Sequence, residues 1–143
     1  MVIILETYKV QVARMSPTHV RATVRNFQME LGGKRADLTA GFNPVETLLS
    51  AVGACLLTAL AFVADLSHVT IGNASMTVEA TRQDRPPILV GIQFHLQVET
   101  DLEDTRLARI VELAKKNSTV FQTVSLAVPI QGSWMKLPLQ PGS

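Results

Sequence analysis

A second cysteine is what this chain most informatively lacks. Cys55 is the only one, so no disulfide can close within one molecule, which agrees with a reducing cytoplasm. An excess of charge of one sign is missing as well: the formal net charge is +1, which gives no electrostatic footprint for nucleic acid or an acidic membrane surface. The three histidines, His19, His68 and His95, are scattered without metal-ligand spacing, so neither zinc nor iron is expected. No glycine-rich phosphate loop, nucleotide fingerprint or serine-nucleophile motif is present, and no cofactor is implied. The start of the chain shows no charged n-region followed by a cleavable apolar segment, so export is not expected. Without export, the glycosylation patterns Asn73-Ala74-Ser75 and Asn117-Ser118-Thr119 carry no function. There is no internal repeat, low-complexity stretch or linker, and only the tail after Trp134 reads as loose. The 143 residues therefore read as one domain with a sizeable core.

What the chain does have is an uncharged run from Thr47 to Ala64 with Cys55 near its middle. Pro44 suits the first turn of a helix, Asn43 its N-cap, and Glu46 the positive end of its dipole. The run reaches the lower limit of a membrane span, but it contains Ser50, Gly53 and Thr58, lies between Glu46 and Asp65, and lacks Lys/Arg anchors. A core helix is the better reading. A helix apolar on nearly all sides needs cover on nearly all sides, and a second subunit would supply it, so a homodimer is expected.

Around that helix, Glu6 to Ala13 and Thr18 to Glu30 alternate apolar and polar residues and read as a hairpin turning at Ser16-Pro17. Gly32-Gly33 ends the second strand, and the loop to Pro44 feeds the helix. Strands are expected over Asn73 to Arg82 and Leu89 to Thr100, separated by Arg85-Pro86-Pro87. A helix is expected over Glu103 to Lys116, acidic at its start and basic at its end. A last strand falls near Val124 to Trp134, with Pro129 marking an edge or an irregularity. Strands in two groups around helices make the class α+β. Met15, Met29 and Met76 are expected in packing or at the surface.

The Gly32-Gly33 loop, Asn43-Pro44 before a long helix, a cysteine eleven residues after the proline, and a second helix ending near Ser118-Thr119-Val120 together resemble the OsmC/Ohr family. That family comprises osmotically inducible proteins and organic hydroperoxide resistance proteins. The order of elements matches as well, over nearly the whole chain. The resemblance implies an OsmC-like fold: an intertwined homodimer in which antiparallel sheets from both subunits wrap long central helices. It also implies an interface site where a helix cysteine attacks a peroxide. An arginine from an early loop holds the substrate, a carboxylate just after the helix proline orients the arginine, and a second cysteine resolves the sulfenate. Cys55 maps onto the attacking position. Arg14, beside the first hairpin turn, is the positional match for the arginine, with Arg35 and Arg25 as substitutes.

Two departures stand out. Where the family has its second cysteine this chain has Ser118, and a hydroxyl cannot form a disulfide. The family's carboxylate position falls on Val45, so the nearest acid is Glu46. At about 100° per residue, positions 46 and 55 of a regular helix lie on opposite faces, while Pro44, Leu48, Ala51, Val52, Ala59 and Phe62 share the cysteine's face. The chain thus resembles a divergent branch.

Three functions follow. One is a one-cysteine peroxidase for organic hydroperoxides or hydrogen peroxide in oxidative-stress defence, using Cys55, Arg14 and Glu46 and an external thiol reductant. Another is a non-catalytic module for a small hydrophobic ligand. The third is a redox sensor oxidised at Cys55. Unpaired cysteine is also a common packing residue, so the exposure of Cys55 separates these readings from an inert thiol.

Overall fold

A computed structural model describes residues 2–140. The chain divides into two compact units, Met1–Thr47 and Leu48–Ser143.

The first unit is an antiparallel sheet of β1 (Gln11–Ser16), β2 (His19–Val24) and β3 (Phe27–Gly32), in that order. Cross-strand neighbours share a face. Register pairs Val12 with Ala22 and Ala22 with Met29, Val20 with Leu31, and Val24 with Phe27, so one face is apolar. The other carries Gln11, Thr23 and Gln28 in one row and Arg21 with Glu30 in the next. The single strand expected over Thr18 to Glu30 is two strands. The alternation runs unbroken through a tight turn at Arg25, whose φ of 51° reverses the chain, and Val24 pairs with Phe27 across it. Asn26 was the available turn signal. The strand expected to start at Glu6 starts at Gln11, because residues 2–10 join no strand ladder among the described residues.

The Gly33 amide donates to the Thr18 carbonyl at 2.9 Å. A Cβ on Gly33 would lie 2.8 Å from a Val20 methyl, so the loop leaving β3 needs glycine there.

Helix α1 (Pro44–Leu66) starts at the end of the first unit and runs through the start of the second. It is long and apolar enough to cross a membrane by length and composition, but Val52, Leu56, Ala59, Leu60 and Val63 are buried in the core of the second unit.

In that unit, β4 (Ala74–Asp84) and β5 (Pro87–Glu99) form a long antiparallel hairpin. Its inner face presents Ile92, Phe94, Leu96 and Val98, all buried. Helix α2 (Asp104–Asn117) adds Leu107, Ile110, Val111 and Ala114, and the short α3 (Thr119–Ser125) adds Phe121. β6 (Ile130–Leu137) pairs with β5. This pairing is parallel, so the second sheet is mixed rather than antiparallel throughout; a parallel neighbour needs a crossover, which α2 and α3 supply.

The last strand is therefore displaced from the expected Val124 to Trp134. Val124 and Ser125 belong to α3, and β6 begins after Pro129, whose carbonyl accepts from Ile92 at 2.9 Å. β6 extends through Met135 and Lys136 into the tail expected to be loose. Only residues 138–140 of that tail lack regular structure, and 141–143 lie outside the described residues.

Gly132 lies opposite Phe94. A Cβ there would come within 2.4 Å of three Phe94 ring carbons, so the glycine makes room for the ring. Phe94 in turn meets Phe121 edge-on, with centroids 6.1 Å apart.

Candidate functional site

Helix α1 opens with a reciprocal pair of hydrogen bonds. The Glu46 amide donates to Asn43 Oδ1 at 2.8 Å, and the Asn43 amide donates to Glu46 Oε1 at 2.9 Å. This is a capping box built from Asn-Pro-Val-Glu, satisfying donors that a helix start otherwise leaves to water. The Thr47 hydroxyl adds a 2.8 Å bond to the Asn43 carbonyl. Asn43 thus holds the expected N-cap position. Glu46, expected near the arginine, has a carboxylate oxygen engaged in fixing the first turn; the Asn-x-x-Glu spacing was the signal for that role.

Cys55 is half-buried. The helix surface that the pattern grouped with it divides in two. Val52 and Ala59 are buried, at 0% and 6% exposure, whereas Leu48 and Phe62 stand open at 38% and 53%. Pro44, Ala51, Ala54 and Thr58 are exposed as well. Cys55 therefore lies on the border between the helix's core face and an open apolar stripe running from Leu48 to Leu66. No Asp, Glu, Lys or Arg occurs in α1 between Glu46 and Asp65. A thiol so placed is neither sealed in the core nor surrounded by water.

Ser118, at the family's second-cysteine position, is fully buried. Its hydroxyl accepts from the Phe121 amide at 3.4 Å and caps α3. A residue that looked like a lost redox group is a helix cap in the core, and serine before a short helical run was the overlooked signal.

Arg14 lies on β1 opposite Val20, at the edge of a bulge before Ser16, and is exposed. Its position alternates with Ala13, so it sits on the sheet's apolar face. Arg35 is in the exposed loop before α1. Arg25 occupies the β2–β3 turn with its guanidinium 5.6 Å from the Phe27 ring centroid. Arg14 belongs to the first unit and Cys55 to the second.

On the polar face of the first sheet, His19 and Arg21 both hydrogen-bond Glu30. The bond from His19, then that from Arg21, holds the Glu30 carboxyl below its ordinary value. His95 meets the Ser133 hydroxyl at 2.8 Å, and His68 follows α1 with a φ of 55°. Among the described residues no group of three or more His, Cys, Asp or Glu is arranged to hold a metal ion.

Residues 32–132 match the family described as OsmC-like protein. No curated protein matches at a significant level. Among solved structures, an OsmC-like protein from Mycoplasma pneumoniae superposes with a TM-score of 0.87 at 20% identity, over 94% of this chain and 99% of that one. An organic hydroperoxide resistance protein from Legionella pneumophila gives 0.75 at 20% identity, over 92% and 98%. The organic hydroperoxide resistance protein OhrB of Bacillus subtilis gives 0.69 at 17% identity, over 92% and 100%.

Proposed function

The chain belongs to the OsmC-like protein family, and from that premise we propose that it is a one-cysteine, thiol-dependent peroxidase acting through Cys55. The observation that carries the reading is the half-buried thiol on the border of an open apolar stripe. Structural likeness to hydroperoxide resistance proteins supports the fold, and family membership supports a redox or peroxide-resistance role.

In this reading the Cys55 thiolate attacks the terminal peroxide oxygen. The S–O bond forms as the O–O bond breaks, the alcohol departs after taking a proton, and Cys55 is left as the sulfenic acid. Ser118 holds a hydroxyl in a helix cap, so resolution falls to an external thiol. One equivalent displaces water to give a mixed disulfide, and a second releases the Cys55 thiol and leaves as a disulfide. Arg14 holds the peroxide by charge-assisted hydrogen bonds. Glu46 is a positioning residue that fixes the first turn of the helix bearing the cysteine. A second copy covers the apolar stripe and makes the protein a homodimer. The cytoplasm supplies the reducing thiols.

The test is intact-mass spectrometry after a brief pulse of cumene hydroperoxide with a dimedone trap. The expected result is a rapid adduct on wild type and none on Cys55→Ser. No adduct on wild type, with the folded thiol also slow to alkylate, removes the peroxidase reading.

The commitment of the Ser118 hydroxyl to α3 favours one alternative, a scaffold that keeps the apolar surface for a small hydrophobic ligand and does no chemistry. Native mass spectrometry that retains such a ligand on Cys55→Ser, together with no dimedone adduct on wild type, would select it.

A further inference from the structure

The polar face of the first sheet is hollowed. A cavity of about 540 Å³ opens on it, with walls that include Gln11, Ala13, Met15, Arg21, Thr23 and Gln28. Strand register explains the hollow. Ala13 stands between Gln11 and Met15 on β1 and directly opposite Arg21, while Thr23 stands between Gln11 and Gln28. Alternate residues of a strand share a face, so a single methyl sits among longer side chains and leaves the space above it unfilled. All six residues belong to β1, β2 and β3, so the first unit forms the cavity by itself.

Arg21 is the sole charged residue in that lining. Its Nε donates to Glu30 Oε1 at 2.7 Å, and His19 bonds the other oxygen of the same carboxylate. Glu30 and His19 themselves lie outside the lining. The guanidinium is thus tethered through Nε, and its two terminal nitrogens have no partner among the described residues. A guanidinium held in this way presents a planar fork of donors that matches the two oxygens of a carboxylate. The side-chain amides of Gln11 and Gln28 and the Thr23 hydroxyl also have no partner among the described residues. Ala13 and Met15 add apolar surface beside these polar groups.

We propose that this cavity binds a small organic monocarboxylate, with the carboxylate on Arg21 and the apolar body over Ala13 and Met15. The lining supplies one cation and no helix N-terminus, which suits a single negative charge rather than a phosphate dianion. The volume falls within the range of small-molecule sites, where a mostly apolar wall surrounds a few placed polar groups. Gln11, Thr23 and Gln28 offer donors and acceptors to further polar atoms of the ligand. Arg14 lies on the opposite face of the same sheet. The carboxylate site is therefore separate from the thiol chemistry proposed above and does not depend on it.

The test is titration of the full chain with acetate, butyrate and benzoate at constant ionic strength, followed by NMR of the Arg21 Nε–H and the Gln11 and Gln28 side-chain amides. Benzamide serves as the uncharged counterpart of benzoate. Two variants probe the site separately: Arg21→Gln removes the charge, and Ala13→Leu fills the hollow while keeping the Arg21–Glu30 pair. Backbone amide shifts of β1 to β3 report that the sheet persists in each. The expected result is saturable shifts confined to the cavity, with benzamide bound about tenfold or more weakly than benzoate. Benzoate affinity should fall by a similar factor in both variants. No saturable shift with any of the three carboxylates, equal binding of benzamide and benzoate, or unchanged benzoate affinity in either variant would overturn the site. The dimedone result on Cys55 reads the peroxidase separately in each case.

Discussion

Replacing Glu46 separates a helix cap from a charge that acts on the substrate. In Glu46→Gln the N3 side chain keeps an oxygen able to accept the 2.9 Å bond from the Asn43 amide, and glutamine is a normal capping-box residue. The favourable placement of a negative charge at the helix start is lost, which costs about 0.3–1 kcal/mol. Glu46→Ala loses the bond as well. Because the position is exposed, water can reach the freed amide, and the added cost stays near the lower end for caps, about 0.5–1 kcal/mol. For a chain of this length that corresponds to a melting temperature lower by about 1–3 °C for glutamine and about 3–6 °C for alanine. Scanning calorimetry measures these shifts, and peroxide consumption with a dithiol reductant measures the rate. Glutamine is expected to keep most of the wild-type rate, with alanine losing rate only as the first turn frays. A glutamine variant that melts like wild type but consumes peroxide about tenfold more slowly would refute the capping account and give the charge itself a role at the arginine.

Other expectations follow from packing and charge. Gly132→Ala places a methyl 2.4 Å from the Phe94 ring and should cost about 1–3 kcal/mol in urea unfolding. Adding Phe94→Leu should recover part of the loss, and a neutral single variant would show that the ring is free to move. Ser118→Ala leaves the buried Phe121 amide without its cap and should cost about 1–2 kcal/mol; an unchanged urea midpoint would remove that role. Glu30 is held below its ordinary value of 4.5 by His19 and then Arg21, so its contribution to stability is present above that value and disappears as pH falls through the lower folded value. The small difference in melting temperature between wild type and Glu30→Gln should therefore be present at neutral pH and vanish in acid, and a difference that grows on acidification would contradict the sign.

Local signals in the sequence carried much of this structure. Asn43, Pro44 and Glu46 mark the start of α1 because capping depends on neighbours within one turn. Acids at the start and lysines at the end bound α2 for the same reason. Alternation marked the strand segments of the first sheet, since side-chain direction in a strand repeats every second residue. It could not show that the stretch from Thr18 to Glu30 folds back on itself, because alternation continues in phase across a tight turn. Nor could it show that Tyr8 and Val10, residues of strand character, join no strand among the described residues.

Long-range pairing and packing decided the rest. β6 is parallel to β5 because α2 and α3 carry the chain across the sheet, and no residue of β6 encodes that direction. Ser118 could be read as a substituted cysteine until α3 gave its hydroxyl an amide to cap. The helical wheel grouped Val52, Ala59, Leu48 and Phe62 with Cys55. Only the packing of α1 in the second unit buried the first two and left the others open. The sequence by itself determined the family, the helix and the solitary thiol. Tertiary structure decided that the thiol lies at a boundary, because burial is set by what the rest of the chain places against each face.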